Sequence, residues 1–313
     1  MLIDVDLKAS ASVFEQVLKA RNCTSHHVRT QYLRVLAMID LATTNGDLGT
    51  MTATTVQLAM GKLKEQGEGH VTCNHYFGAL RQFLRFLEPD VPGVPQLLAR
   101  LRTVRRYKPD TDKRHPRRAL TEGEINRLLK YLRTAPEIRC MTGHQRAMLY
   151  IVAICTGLRA NELRTLVVGD IDVSCDPPTI FISADDAKGR KETRQPVPPN
   201  LRADLVKHIK GRGPNDVLFP NMIRADRLAS VLAMDLRAAG MEYKNLFGFA
   251  DFHALRHSFG TLGAKAGVNM RTLQELMRHS DPKLTARYAH ATKTDLAEAV
   301  GLLPFFNVAG GQA

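Results

Sequence analysis

Apolar residues recur at helical spacing through the first hundred positions of this 313-residue chain. Val28, Tyr32, Val35, Leu36 and Ile39 form one stripe behind the capping candidates Thr24 and Ser25, and Thr43-Thr44-Asn45-Gly46 stops it. Phe77, Leu80, Leu84 and Leu87 form another over 72–87, ended by Glu88-Pro89-Asp90. Shorter patterns predict helices over 12–20 and 54–64. Residues 1–103 therefore read as a helical domain. Arg81 and Arg85 stand four apart on its clearest helix and share a face. A basic face beside an apolar stripe suits a helix that meets a DNA backbone, and equally one that meets only water.

The pattern lapses after Val104. Pro109 and Pro116 resist helix, and Arg105, Arg106, Lys108, Lys113, Arg114, Arg117 and Arg118 face only Asp110 and Asp112. Residues 104–118 read as a basic interdomain linker, either solvated or laid along DNA. Periodicity resumes over 119–313, with both periods present. Thr121 and Glu124 form a capping box. A nearly all-apolar helix over 145–155 should be buried and stop at Gly157. Residues 179–183 and 193–197 read as two strands of a hairpin with a basic tip, Ala187-Lys188-Gly189-Arg190-Lys191. Pro196 puts the second strand at an edge. His253, Arg256 and His257 fall on one face of a later helix. Residues 269–278 predict another, closed by His279. Asp281-Pro282 then starts a last helix that carries Tyr288 one to two turns in. Residues 200–250 add helices and a turn with no evident chemistry. The fold class is mainly α with a small β-sheet.

Charge narrows the partners. Lys and Arg outnumber Asp and Glu by 44 to 31, a net +13, and the pI is near 9.7. That surplus points to a polyanion, above all nucleic acid. The five cysteines are scattered with no CxxC pair, which favours a reducing compartment over a disulfide framework or a zinc site. No apolar run approaches the roughly 20 residues of a membrane span. The N-terminus lacks the order of a signal peptide, and a cytoplasmic location is expected. There is no Gly-rich phosphate loop, so nucleotide binding has no support.

The candidate chemistry lies in polar residues at element ends. Arg159 follows the buried helix and opens the next one, where a guanidinium can grip an oxyanion or simply pair with Glu162. Two histidines four apart can bind zinc, but Ala254 stands where the HExxH hydrolases need Glu, and no metal is expected. A tyrosine among cations is a candidate nucleophile. Taken singly, Tyr288 could also be a packed residue with its hydroxyl on His279 or His290.

Together, TGLRANEL (156–163), HALRHSF (253–259) and LMRHSDPKLTARYAH (276–290) resemble, in order and spacing, three motifs of the tyrosine recombinases, the phage integrase and Xer-like family. The resemblance implies a helical core-binding (SAM-like) domain followed by an α+β tyrosine recombinase catalytic domain. By it, Tyr288 would attack a scissile phosphodiester, leaving a 3′-phosphotyrosine and a free 5′-hydroxyl. Arg159 and Arg256 would hold the non-bridging oxygens and His279 would hydrogen-bond them. Lys188 would protonate the leaving oxygen, His253 would accept the tyrosine proton, and Glu162 would orient an arginine. Neither cofactor nor ATP is implied. DNA-backbone contacts are expected from Arg81, Arg85, Arg105, Arg106, Arg117, Arg118 and Arg278. Arg278 occupies the position before the later histidine, where the family usually has Gly, and Phe252 leads the first histidine motif. The apolar tail (Leu296, Val300, Leu302, Leu303, Phe305, Phe306) would pack on a neighbouring protomer in a homotetramer on two paired DNA sites. The rival readings are a catalytically silent DNA-binding protein of this fold, a nicking-closing topoisomerase and a zinc-dependent hydrolase.

Overall fold

The computed structural model describes residues 5–185 and 191–289. The hairpin tip with Lys188, and His290 with the apolar tail, lie outside the described residues. The chain divides into two compact units, Met1–Arg114 and His115–Ala313.

The first unit is helical: α1 (Leu7–Ala20), α2 (Ser25–Ala42), α3 (Ala53–Glu65), α4 (His70–Leu87) and α5 (Val94–Arg100). Helix α1 starts earlier than its apolar pattern suggests, because the Asp6 carboxylate accepts the amides of Lys8 and Ala9 at 2.9 Å. Thr24 caps α2 as the sequence predicts, through the His27 amide. Phe14, Val35, Met38, Ile39, Leu80 and Phe83 close the core. Residues 104–114 are not a free linker. Asn74 exchanges two hydrogen bonds with the Tyr107 backbone (2.8 and 3.0 Å), and the Asp112 carboxylate accepts the His70 amide that opens α4. These side chains satisfy backbone groups that would otherwise need water, so the strip stays on this unit despite Pro109.

The second unit holds α6 (Glu122–Leu132), α7 (Gly143–Thr156), α8 (Ala160–Thr165), β1 (Ile171–Asp172), β2 (Thr179–Ile182), β3 (Thr193–Pro196), α9 (Arg202–Ile209), α10 (Ala225–Ala238), β4 (Lys244–Asn245), β5 (Gly248–Phe249), α11 (Phe252–Lys265), α12 (Met270–Leu276) and α13 (Lys283–Ala286). The fold is thus mainly α with small sheets. The three-stranded sheet runs β1-β2-β3, all antiparallel, with Ile180 opposite both Ile171 and Gln195. Pro196 lies on the outer strand, as its lost donor requires. The short β1 has too few residues to show in the sequence pattern. Thr121 and Glu124 form the predicted capping box, and Gly157 ends α7 in the left-handed region at φ +63°. No helix among the described residues is long and apolar enough to cross a membrane.

The buried side of α7 carries a charge that its apolar run conceals. Arg146 and Asp235 of α10 are both fully buried. The guanidinium donates to both Asp235 oxygens at 2.9 and 3.0 Å and to the Met141 and Pro136 carbonyls, while the Tyr150 hydroxyl donates to Asp235 at 2.8 Å. Residues 200–250 therefore supply a counter-charge to the core. Asp235→Ala leaves the buried guanidinium without its partner and is expected to cost about 3–5 kcal/mol in urea unfolding of this unit. A loss below about 1 kcal/mol would show that the network is not worth its burial.

Candidate active site

Four chain breaks build the site, each fixed by a local hydrogen bond. The first is the turn after α7. Gly157 turns left-handed there, and a Cβ on it would lie 2.6 Å from the Phe259 ring of α11. Arg159 follows as the N-cap of α8. Its backbone amide donates to Glu162 Oε2 and its guanidinium to Glu162 Oε1, both at 2.8 Å. The pairing that the sequence offered as an alternative to oxyanion binding is therefore present. It does not bury Arg159, which keeps about a quarter of its side chain open, whereas Glu162 is 1% exposed.

The second break opens α11. Asp251 caps it through the Ala254 amide at 3.0 Å and holds Arg117 at 2.7 Å and His115 at 3.3 Å on its other oxygen. Arg117 thereby stands beside His253 rather than in a linker. His253 keeps an exposed edge at a cleft of about 290 Å³ lined also by Arg117, Leu158 and Asp251. Arg256, one turn on, is 3% exposed and donates to the carbonyls of Gly157 and Met277. One buried guanidinium thus ties the α7 turn to the α12 turn.

The third break ends α12. The Arg278 amide bonds Glu275 O at 2.9 Å and the His279 amide bonds Gln274 O at 3.1 Å, the two bonds of a Schellman turn. Arg278 takes the left-handed position at φ +52°. Glycine suits that position, and a side chain there costs roughly 1–2 kcal/mol. Arg278 was expected to reach a DNA phosphate. Instead its guanidinium turns inward to Glu162 Oε2 at 2.8 Å and to the Gln195 side chain of β3. A buried carboxylate is the stronger local attraction. Arg118, also expected on DNA, is likewise buried, donating to Glu124 at 3.0 Å and to the Glu242 carbonyl at 2.8 Å.

The fourth break carries the tyrosine. Helix α13 is a single turn ending at Ala286, so Tyr288 follows it rather than lying within it. Its amide bonds Thr285 O at 2.9 Å. The buried Thr285 hydroxyl also meets His279 Nδ1 at 2.8 Å, and Gln274 donates to the His279 carbonyl at 3.0 Å. The Tyr288 ring meets His257 edge-on at 5.0 Å between centroids. His257, set aside as a metal ligand, is therefore a wall of the tyrosine pocket. The other wall is Gly260, where a Cβ would lie 2.7 Å from Tyr288 Cζ and 2.9 Å from the Met277 sulfur. Sequence reasoning passed over Gly260, Thr285 and Gln274. A glycine inside an amphipathic helix was the one available signal of a close approach.

Gly260→Ala separates packing from chemistry. Alanine favours a helix by about 1 kcal/mol over glycine. The methyl must push the tyrosine ring aside, and a displacement near 1 Å costs on the order of 10² in rate. Melting temperature should hold while single-turnover attack by Tyr288 falls; unchanged attack would mean that the ring does not need this seat.

The electrostatics are lopsided. Three guanidiniums (Arg159, Arg256, Arg278) surround one carboxylate, Glu162. Burial, then repulsion from Arg159 and Arg278, pushes Arg256 down to about 9, so it stays charged at neutral pH. Burial, then Arg256, Arg159 and Arg287, bring His279 to about 4, and burial with Arg117 and Arg256 does so for His253. Both imidazoles are neutral at pH 7. Burial raises the Tyr288 phenol while Arg256 and Arg287 oppose it. Such a cluster of mutually repelling cations is relieved by an anion. Among the described residues no group of three or more His, Cys, Asp and Glu side chains could hold a metal ion.

In the first unit Arg81, Arg85, Arg102 and Arg106 form a second basic cluster. Arg81 and Arg106 both lie over the Phe77 ring at 5.9 and 5.7 Å, and burial and the neighbouring arginines lower Arg81. Arg102, at the head of the basic stretch, belongs to this cluster. Arg105 is exposed, with its backbone held by Gln57 at 2.8 Å.

The phage integrase family profile matches residues 118–295, more than half of the chain. The tyrosine recombinase XerA of Saccharolobus solfataricus is 29% identical over 72% of this chain and 65% of its own length, so this chain spans just under two thirds of that relative. A tyrosine recombinase of Thermosipho africanus is 28% identical over 78% of this chain and 80% of its own length. The solved structure of the Tn1549 transposon integrase, in complex with a circular intermediate DNA, superposes with a TM-score of 0.71 at 18% identity, covering 94% of this chain and 99% of that one. The XerH site-specific recombinase bound to its difH substrate superposes with a TM-score of 0.66 at 20% identity, over 93% and 84%. The profile match falls on the unit that holds Arg159, Arg256, His279 and Tyr288, and the chain belongs to the phage integrase family.

Proposed function

We propose that the protein is a site-specific DNA recombinase that breaks and rejoins strands through a 3′-phosphotyrosine intermediate. The observation that carries this reading is the convergence of Arg159, Arg256, His279 and the buried Tyr288 from four chain breaks. Family membership sets the reaction class, and the site supplies groups suited to it. Phosphoryl transfer concentrates charge on the equatorial oxygens. Arg159 and Arg256 meet it with preorganised guanidiniums, and with the Thr285 hydroxyl donating to Nδ1, His279 donates through Nε2. The Tyr288 oxygen forms a bond to phosphorus as the bond to the 5′-oxygen breaks. The phenol proton passes to His253, neutral at pH 7 and able to accept it once a phosphate sits among the cations. Lys188, between β2 and β3 in the sequence, gives a proton to the leaving 5′-oxygen. The phosphotyrosine conserves the phosphodiester energy, so a second DNA end can restore a diester without ATP or metal.

Arg81, Arg85, Arg102, Arg105 and Arg106 would meet the DNA backbone from the first unit, setting position rather than sequence. Four copies on two paired sites, with the apolar tail (296–306) seated on a neighbour, complete the assembly. The test is a duplex bearing the protein's binding site and a nick that lets the cleaved end diffuse away. An adduct that survives denaturation supports the reading. DNA binding with no adduct favours the silent binding protein, and relaxation of supercoils without strand exchange favours the topoisomerase.

A further inference from the structure

Resting on that recombinase reading, we infer that Arg278 is a positioning residue that holds Glu162 away from full pairing with Arg159 and locks the His279 turn to β3. Four observations carry this. The backbone of Arg278 occupies a left-handed position that glycine would fill with less strain. Its guanidinium is nonetheless drawn inward, 14% exposed, onto Glu162 Oε2. Glu162 is thereby divided, with one oxygen facing the Arg159 guanidinium and the other shared by the Arg159 amide and Arg278. Without Arg278 the buried carboxylate would keep, among the described residues, only Arg159 as a hydrogen-bonded guanidinium and would offset more of its charge. With Arg278 present, Arg159 keeps positive charge for a phosphate.

The same guanidinium reaches Gln195, 2% exposed on β3, whose Nε2 has no partner among the described residues. A buried amide with one end unpaired already carries a desolvation cost, and losing its remaining bond would add to it. Arg278 supplies that bond, and it immediately precedes His279. The residue thus links β3, the histidine turn and the first arginine.

The roles open to Arg278 predict different results with Arg278→Gly and Arg278→Lys. Acting through Glu162, Arg278→Gly lowers single-turnover adduct formation at saturating DNA about tenfold and leaves Kd within about twofold. Arg278→Lys recovers most of that loss, because it restores the charge. In a Glu162→Gln background the Arg278→Gly effect shrinks to about twofold, since the carboxylate it controls is gone. A residue serving only as a helix cap would give Arg278→Gly equal to or faster than wild type. A direct phosphate contact would weaken Kd and lower the salt slope of binding by about one. Either outcome overturns the inference. Melting temperatures of both variants confirm that folded protein is compared. Absence of any adduct with wild type is a different result, and counts against the recombinase reading itself.

Discussion

Tyr288→Phe is expected to bind DNA with wild-type affinity and to lose covalent attachment by at least about 10³-fold. The substitution removes one oxygen and keeps the ring. The ring's seat is apolar and shape-specific, against Gly260, Met277 and the edge of His257. None of these contacts needs the hydroxyl, so the turn after α13 should survive and the melting temperature should change little. Burial holds the phenol above its ordinary value despite Arg256 and Arg287. The tyrosine is therefore protonated at neutral pH and becomes a nucleophile as its proton leaves. Gel-shift affinity and denaturing-gel adduct yield, measured together, separate binding from chemistry. Adduct from Tyr288→Phe at even a tenth of the wild-type yield would move the nucleophile to another residue.

Arg256 should lose stability and rate together. Its guanidinium donates to the Gly157 and Met277 carbonyls, both at the ends of helices that frame the site. Arg256→Ala leaves buried acceptors unpaired, at about 1–3 kcal/mol. It also removes a preorganised donor to the transferring phosphoryl group, at about 10²–10³ in rate. Arg256→Lys distinguishes the two losses. Lysine restores a charge but cannot span two carbonyls and still present a planar fork to a phosphate. Most of the stability should return, with cleavage still depressed at least about 30-fold. Cleavage by the lysine variant within about threefold of wild type would show that charge alone suffices there.

Much of this architecture is written in local pattern. The Thr121–Glu124 capping box, the Gly157 stop and the hairpin with Pro196 at its edge each depend on a few neighbouring positions. So do the i, i+3, i+4 set on α11 and the break that brings His279 near Tyr288. The rest depends on partners far away in the chain. Arg146 meets Asp235 across 89 positions, and Arg278 meets Glu162 across 116. No periodicity reports such pairs, so Arg146 was absorbed into an apolar helix and Arg278 was assigned to DNA. Arg118 shows the same limit, because its basic neighbourhood in sequence hides an inward turn to Glu124. Residues 104–118 went astray for a related reason. Proline and charge predict irregular backbone, but not the Asn74 and Asp112 side chains that fasten part of it to the first unit.

The most direct test is the chemistry of the trapped bond. The wild-type adduct on a nicked site would be digested with protease and nuclease, and the DNA-linked peptide identified by mass spectrometry. The prediction is a peptide joined through the Tyr288 oxygen to a 3′-phosphate, with a free 5′-hydroxyl on the released strand. A link through another residue, or a 5′-phosphate attachment, would contradict it.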